Sequence, residues 1–126
     1  MRLPQAILKR INPESLEQIA VIDWIKAQHP WLIGHTMAIP NDGRRSKIGG
    51  YILRLLGLLP GASDLFIAWP TKAYHGFFLE MKSKKGRPTK LQLDFLFRMK
   101  NVGYEGKVAY GADEAIDMIK NYLSEK

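Results

Sequence analysis

Gly61–Gln92, GASDLFIAWPTKAYHGFFLEMKSKKGRPTKLQ, decides how the chain is read. Two runs of strand-forming residues, DLFIAW and GFFLEMKS, flank the turn-rich PTKAYHG. Side chains alternate along a strand, so Glu80 and Lys82 share one face while Phe77, Leu79 and Met81 share the other. The apolar set packs, which leaves two charged heads together on the opposite side. Asp64 stands at the mouth of the preceding run and meets them if the two strands are paired neighbours. A sheet that merely packs has no use for such an arrangement.

The flanking sequence supplies the rest of a fold. Asn12 and Pro13 suit a helix start, Ile11 is placed to staple onto Leu16, and a helix then runs to Gln28, before His29-Pro30. WLIGHTMAIPN reads as an extended strand, NDGRRSKIGG as a glycine-rich basic loop, and YILRLLGLL as a short helix ended by Gly57 or by LLPG. After the two central strands come the basic loop KKGRP, a helix over TKLQLDFLFRMKNV stopped at Gly103, a strand over EGKVAYG and a final helix over DEAIDMIKNYL. The order α-β-α-β-β-α-β-α predicts an α/β fold, a mixed sheet flanked by helices.

With 126 residues and no internal repeat, one domain is expected over positions 1–126. Lys and Arg number 19 against 12 Asp and Glu, a formal charge of +7, which favours a polyanionic partner. The absence of cysteine excludes disulfides, zinc ribbons and thiol nucleophiles. YILRLLGLLP, the most apolar stretch, is too short for a membrane span and carries Arg54, and no secretory signal is visible, so an intracellular, cytoplasmic protein with no membrane partner is expected. His29, His35 and His75 lack metal-ligand spacing and read as structural or surface groups. Phe66, Phe77, Phe78, Phe95 and Phe97 fit core packing. No glycine-rich cradle for ATP is present.

Two carboxylates converging on one point repel unless a cation neutralises them. A hard divalent ion such as magnesium does so with oxygen ligands only, and the Met81 backbone carbonyl offers one more oxygen. The chemistry that needs this set is phosphodiester hydrolysis, with the metal polarising a phosphoryl oxygen and the lysine orienting the nucleophile and balancing developing charge. An ordinary salt-bridged strand surface carries the same Glu-x-Lys spacing. The triplet gains meaning from Asp64, the basic loop behind it and the net charge taken together.

These residues resemble the PD-(D/E)XK nuclease superfamily, in particular its VRR-NUC (virus-type replication-repair nuclease) branch. The resemblance runs through Glu17-Gln18, Pro40-Asn41-Asp42-Gly43, Gly57-Leu58-Leu59-Pro60-Gly61 leading to Asp64, and Phe78-Leu79-Glu80-Met81-Lys82. It continues through Gly86-Arg87, Gln92 and Gly103-Tyr104. Ser63 departs from it, standing where the family usually has a proline, which bears on loop geometry more than on activity.

The resemblance implies a restriction-endonuclease-like fold. It also implies Asp64 and Glu80 as metal ligands, Lys82 as catalytic lysine, and Glu17 as a helical acid reaching the metal directly or through water. Gln92 matches a glutamine beside the site, although Thr89-Lys90-Leu91-Gln92 also reads as a capping box. Arg44, Arg45 and Lys47, with Lys84, Lys85, Arg87 and Lys90, form two basic groups suited to phosphates. The implied protein is a bacterial or phage-encoded DNA endonuclease using Mg2+ or Mn2+, acting on branched DNA such as four-way (Holliday) junctions. A homodimer is the expected assembly, since symmetric cutting needs two sites and the apolar YILRLLGLL can join them. The alternatives are a catalytically silent nucleic-acid-binding module on the same scaffold and an RNA-processing nuclease.

Overall fold

The computed structural model describes residues 3–40 and 46–125. A short α1 (Gln5–Leu8) precedes α2 (Pro13–Gln28), whose start follows from sequence: the Asn12 side chain accepts the Ser15 N–H at 2.8 Å, and proline occupies the first helical position. Pro30 then opens one further helical turn, α3 (Pro30–Ile33), where the sequence reads as extended. Leu32 is buried by that turn, and strand β1 (Thr36–Ala38) begins only after it. Proline fixes φ at a helical value, and the apolar Leu32 rewards the turn with burial.

The helix α4 (Lys47–Leu55) begins earlier than the glycine-rich sequence suggests, because the Ser46 hydroxyl accepts the Gly49 N–H at 3.0 Å. It ends in a Schellman arrangement, with Leu58 N–H on the Leu53 carbonyl and Gly57 N–H on that of Arg54. Strands β2 (Leu65–Ile67) and β3 (Phe77–Lys82) follow. The helix α5 (Lys90–Asn101) starts with a full capping box between Thr89 and Gln92 and stops at Gly103 as expected. The strand β4 (Glu105–Tyr110) and the helix α6 (Ala112–Ser124) complete the chain. The short α1 and α3 are additions to the predicted order.

The sheet has the order β1-β2-β3-β4, with the first two pairings antiparallel and β3-β4 parallel across the α5 crossover. One face carries Leu65, Ile67, Phe77, Leu79 and Met81 into a core with Val21 and Ile25 of α2 and Ile119 and Tyr122 of α6. On the other face Phe66 stacks on Phe78 at 4.3 Å between ring centres, and Phe95 of α5 meets Phe78 edge-on at 5.2 Å. Four of the five expected core phenylalanines thus pack, while Phe97 is exposed. Residues two apart on a helix point about 200° away from each other, so Phe95 and Phe97 cannot both face the sheet. His29, His35 and His75 lie against the rings of Trp24, Trp69 and Tyr104 respectively.

The loop leading into β2 is fixed by close packing. Gly61 has φ +88°, and a Cβ there would lie 2.7 Å from both the carbonyl carbon and the oxygen of Leu91 in α5. Replacing Gly61 with alanine therefore meets a disfavoured backbone conformation and a backbone clash together, and is expected to cost about 2–3 kcal/mol of folding stability. Urea unfolding measures this; a midpoint equal to that of the parent would show that the loop shifts freely.

Candidate active site at the end of the central strands

Asp64 lies where β1 and β2 part from β3. Its backbone carbonyl accepts the Ile39 N–H at 2.9 Å, and its side-chain Oδ2 accepts the Met81 N–H at 2.7 Å. The carboxylate thus takes over the β2-β3 ladder where the backbones separate. Leu65 pairs with Leu79, so the same register sets Asp64 opposite Glu80 on one face of the sheet. The strands are paired neighbours, as the convergence of these side chains requires. Ser63, in place of the family's proline, is buried and donates its hydroxyl to the Leu65 carbonyl at 3.1 Å, fastening the same loop.

Glu80 is only 2% exposed and Lys82 only 8%. The Lys82 ammonium stands 3.5 Å from Glu80 Oε2 and 3.9 Å from Glu14 Oε1. Glu80 Oε1 is buried with no hydrogen-bond partner. Burial pushes the Glu80 carboxyl up from the ordinary 4.5 to about 9, and the neighbouring Asp64 adds to the rise while Lys82 opposes it. A buried acid raised by desolvation and by a second acid, beside a lysine, marks this end of the sheet as a candidate functional site.

Glu14 is the residue that sequence reasoning missed. With Asn12, Ser15, Gln18, Ile39 and Asp64 it lines a polar cleft of about 240 Å³. Glu14 and Gln18 are four apart on α2, hence on one face, and that spacing is the signal in the sequence that points to Glu14. The Glu17 carboxylate instead accepts the Ala112 N–H at the start of α6. The structure thus sets the expected helical acid against the start of α6. Gln92 Oε1 accepts the Thr89 N–H at 2.8 Å, so its carbonyl serves the helix cap. Lys84, Lys85 and Arg87 are exposed on the loop after β3, Lys47 is exposed at the start of α4, and Lys90 pairs with Asp94 at 3.0 Å. Arg44 and Arg45, with Asn41-Asp42-Gly43, lie outside the described residues.

Among the described residues, no group of three or more His, Asp or Glu side chains converges tightly enough to hold an ion alone. The donor set at Asp64 and Glu80 nonetheless fits magnesium or manganese. It offers hard oxygens and includes a buried oxygen without a partner, and magnesium ordinarily keeps several waters while taking one or two protein carboxylates.

An α/β sheet of this order, with acids at the parting of its antiparallel pair, defines a restriction-endonuclease-like, nuclease-type domain. The chain carries the fold of a solved structure described as a VRR_NUC domain protein, with a TM-score of 0.79, 25% sequence identity and 91% of each chain covered. The family resemblance read in the sequence therefore extends to the backbone. No family model matches the sequence. No curated protein matches it either. Among the described residues, no helix is long and apolar enough to cross a membrane.

The raised Glu80 carboxyl has a measurable sign. Between about 4.5 and about 9 the folded chain holds a proton that the unfolded chain has released. In metal-free buffer its contribution is full below the unfolded value and is lost as pH rises toward 9. Glu80→Gln is expected to flatten the fall in stability across pH 5–9 by up to about 1.4 kcal/mol per pH unit at the steepest point. Chemical denaturation at a series of pH values tests this; parallel profiles for parent and variant would show that Glu80 ionises in the folded chain as it does in water.

Proposed function

We propose that this protein is a metal-dependent DNA endonuclease, selective for branched substrates such as four-way junctions. The observation that carries the reading is the pairing of Asp64 with Glu80 at the end of β2-β3, with Lys82 3.5 Å from Glu80 and Glu80 Oε1 left without a partner. Asp64 and Glu80 hold Mg2+ or Mn2+, with the Met81 carbonyl as a further oxygen donor. Bound there, the ion supplies Lewis acidity and a water of lowered pKa. Lys82, braced by Glu80 and Glu14, would orient an attacking water and offset charge on the phosphoryl oxygens. Lys84, Lys85 and Arg87 follow directly on the strand that carries Glu80 and Lys82, and with Lys47 they hold the phosphate backbone without reading sequence.

Support for a dimer comes from α4. Ile48 is 74% exposed, Leu55 70% and Leu56 79%, and Tyr51, Ile52 and Leu59 are also open to solvent. Ile48, Ile52 and Leu55 fall on one face of α4, Leu59 follows just beyond the helix, and among the described residues α4 makes no extensive contact with another helix or strand. A two-fold axis through it joins two copies and presents two sites to opposing strands of a junction.

Magnesium-dependent nicking of a four-way junction is expected to fall by more than about 100-fold in Asp64→Ala, Glu80→Ala and Lys82→Ala with circular dichroism unchanged. Single-turnover cleavage across single-stranded, duplex, flap and four-way substrates checks both the chemistry and the preference. Parental rates in the Glu80 variant would place the chemistry elsewhere, and binding without cleavage by the parent would leave a nucleic-acid-binding module.

A double charge change, Ile52→Glu with Leu55→Glu, is expected to convert a dimer into a well-folded monomer by light scattering. A parent chain that is already monomeric, free and on DNA, would remove the two-fold argument.

A further inference from the structure

Glu17 sits four residues before Val21 and eight before Ile25, both fully buried, so α2 directs it inward. Its Oε2 accepts the N–H of Ala112, the first residue of α6, 95 positions along the chain. Helix α6 has no cap of its own. Gly111, its N-cap residue, has no side chain to offer and sits at φ +94°, a conformation that serine, threonine and aspartate rarely adopt. Glu17 and Lys84 flank this corner, since a Cβ on Gly111 would stand 3.6 Å from Glu17 Oε2 and 3.9 Å from Lys84 Cε, in ordinary contact.

One peptide before the contact with Glu17, the Gly111 N–H donates to the Lys82 carbonyl at 2.9 Å. One helical turn before Glu17, Glu14 reaches to 3.9 Å from the Lys82 ammonium. Helix α2 therefore addresses Lys82 twice, at its side-chain nitrogen through Glu14 and at its backbone through Glu17 and the start of α6. Loss of the Glu17 contact would leave the Ala112 N–H without its acceptor, one peptide from the Gly111 N–H that bonds the Lys82 carbonyl; the Lys82–Tyr110 pairing and the Glu114 contact to the Tyr110 N–H at 3.3 Å would remain.

We infer that Glu17 is a positioning residue: through Ala112 and Gly111 it sets the placement of Lys82, and it is not a ligand of the metal. The inference rests on the nuclease reading above, and it differs from the role the family resemblance implies. It also separates the two acids of α2, assigning Glu14 to the ammonium and Glu17 to the backbone.

The test uses full-length protein, Mn2+ alone as the binding probe, and cleavage kinetics. In Glu17→Gln an amide oxygen still accepts the Ala112 N–H, so Mn2+ affinity and kcat are expected to stay within about threefold of the parent. In Glu17→Ala, kcat is expected to fall about 10- to 100-fold with KM for DNA and Mn2+ affinity unchanged, because Lys82 is misplaced while both acids remain. Ala112→Pro removes the N–H from the other side at a first helical position that tolerates proline, and should reproduce the loss. Adding Glu17→Ala to Ala112→Pro should then cost nothing more. Ile119→Val, a core truncation remote from this corner, serves as the control for lowered stability and should keep the parental kcat.

A drop of tenfold or more in Mn2+ affinity for Glu17→Gln would make Glu17 a ligand and overturn the inference. Additive losses in the double variant, or parental kcat in Glu17→Ala, would overturn it as well. If Asp64→Ala and Glu80→Ala bind Mn2+ as the parent does, the nuclease reading fails, an outcome distinct from all of these.

Discussion

The hydrogen bond from the Met81 N–H to the Asp64 carboxylate is the constraint on which the site depends. Through its main-chain carbonyl Asp64 is tied to Ile39 beyond β1, and through its side chain to β3. One residue thereby joins three strands at the point where the sheet opens. The bond leaves the carboxylate half-buried and opposite Glu80, and the register of Leu65 with Leu79 permits no other partner. A slip of one residue would turn Glu80 and Lys82 onto the face that holds Leu79 and Met81. The apolar pattern thus protects the polar one.

Glu80 shows what the fold tolerates in order to keep this arrangement. Burying an acid with an unpartnered oxygen beside another acid costs a domain stability, and the Lys82 ammonium at 3.5 Å offsets part of that cost. The opposite face of the same strand is densely apolar, with Phe77, Leu79 and Met81 packed against α2 and α6. On the face of Glu80 and Lys82 only Phe78 is apolar, and it packs on Phe66 and Phe95.

Much of this was legible in the sequence because it rests on short-range rules. Alternation in FFLEMK placed Glu80 and Lys82 together, Asn12-Pro13 marked the start of α2, and Gly103 marked the end of α5. What escaped was decided by contacts between distant segments. Trp31 and Leu32 have strand-like composition, yet Pro30 and the burial of Leu32 make a helical turn of them. Glu17 and Glu14 are one turn apart on α2, and only the position of α6 tells which of them meets Lys82. For Gln92 the local capping box supplied the observed contact. The segment around YILRLLGLL reads as a helix and is one, but no periodicity reveals that Ile52, Leu55 and Leu56 stay open to solvent.

The placement of helix starts has a consequence of its own. Helix α2 begins with Glu14 beside Lys82, and α6 begins with the Gly111 peptide bonded to it. Helix α5 begins after a loop in which a Cβ on Gly86 would lie 3.5 Å from Lys82 Cδ. Three helices therefore direct the positive ends of their peptide dipoles toward one pole of the sheet. Part of that field is met by Glu17 and by the Gln92 cap, and part offsets the cost of keeping two acids together. Charges held at this pole therefore lie in the field of the backbone as well as of the lysines, and the backbone share survives the loss of any single side chain.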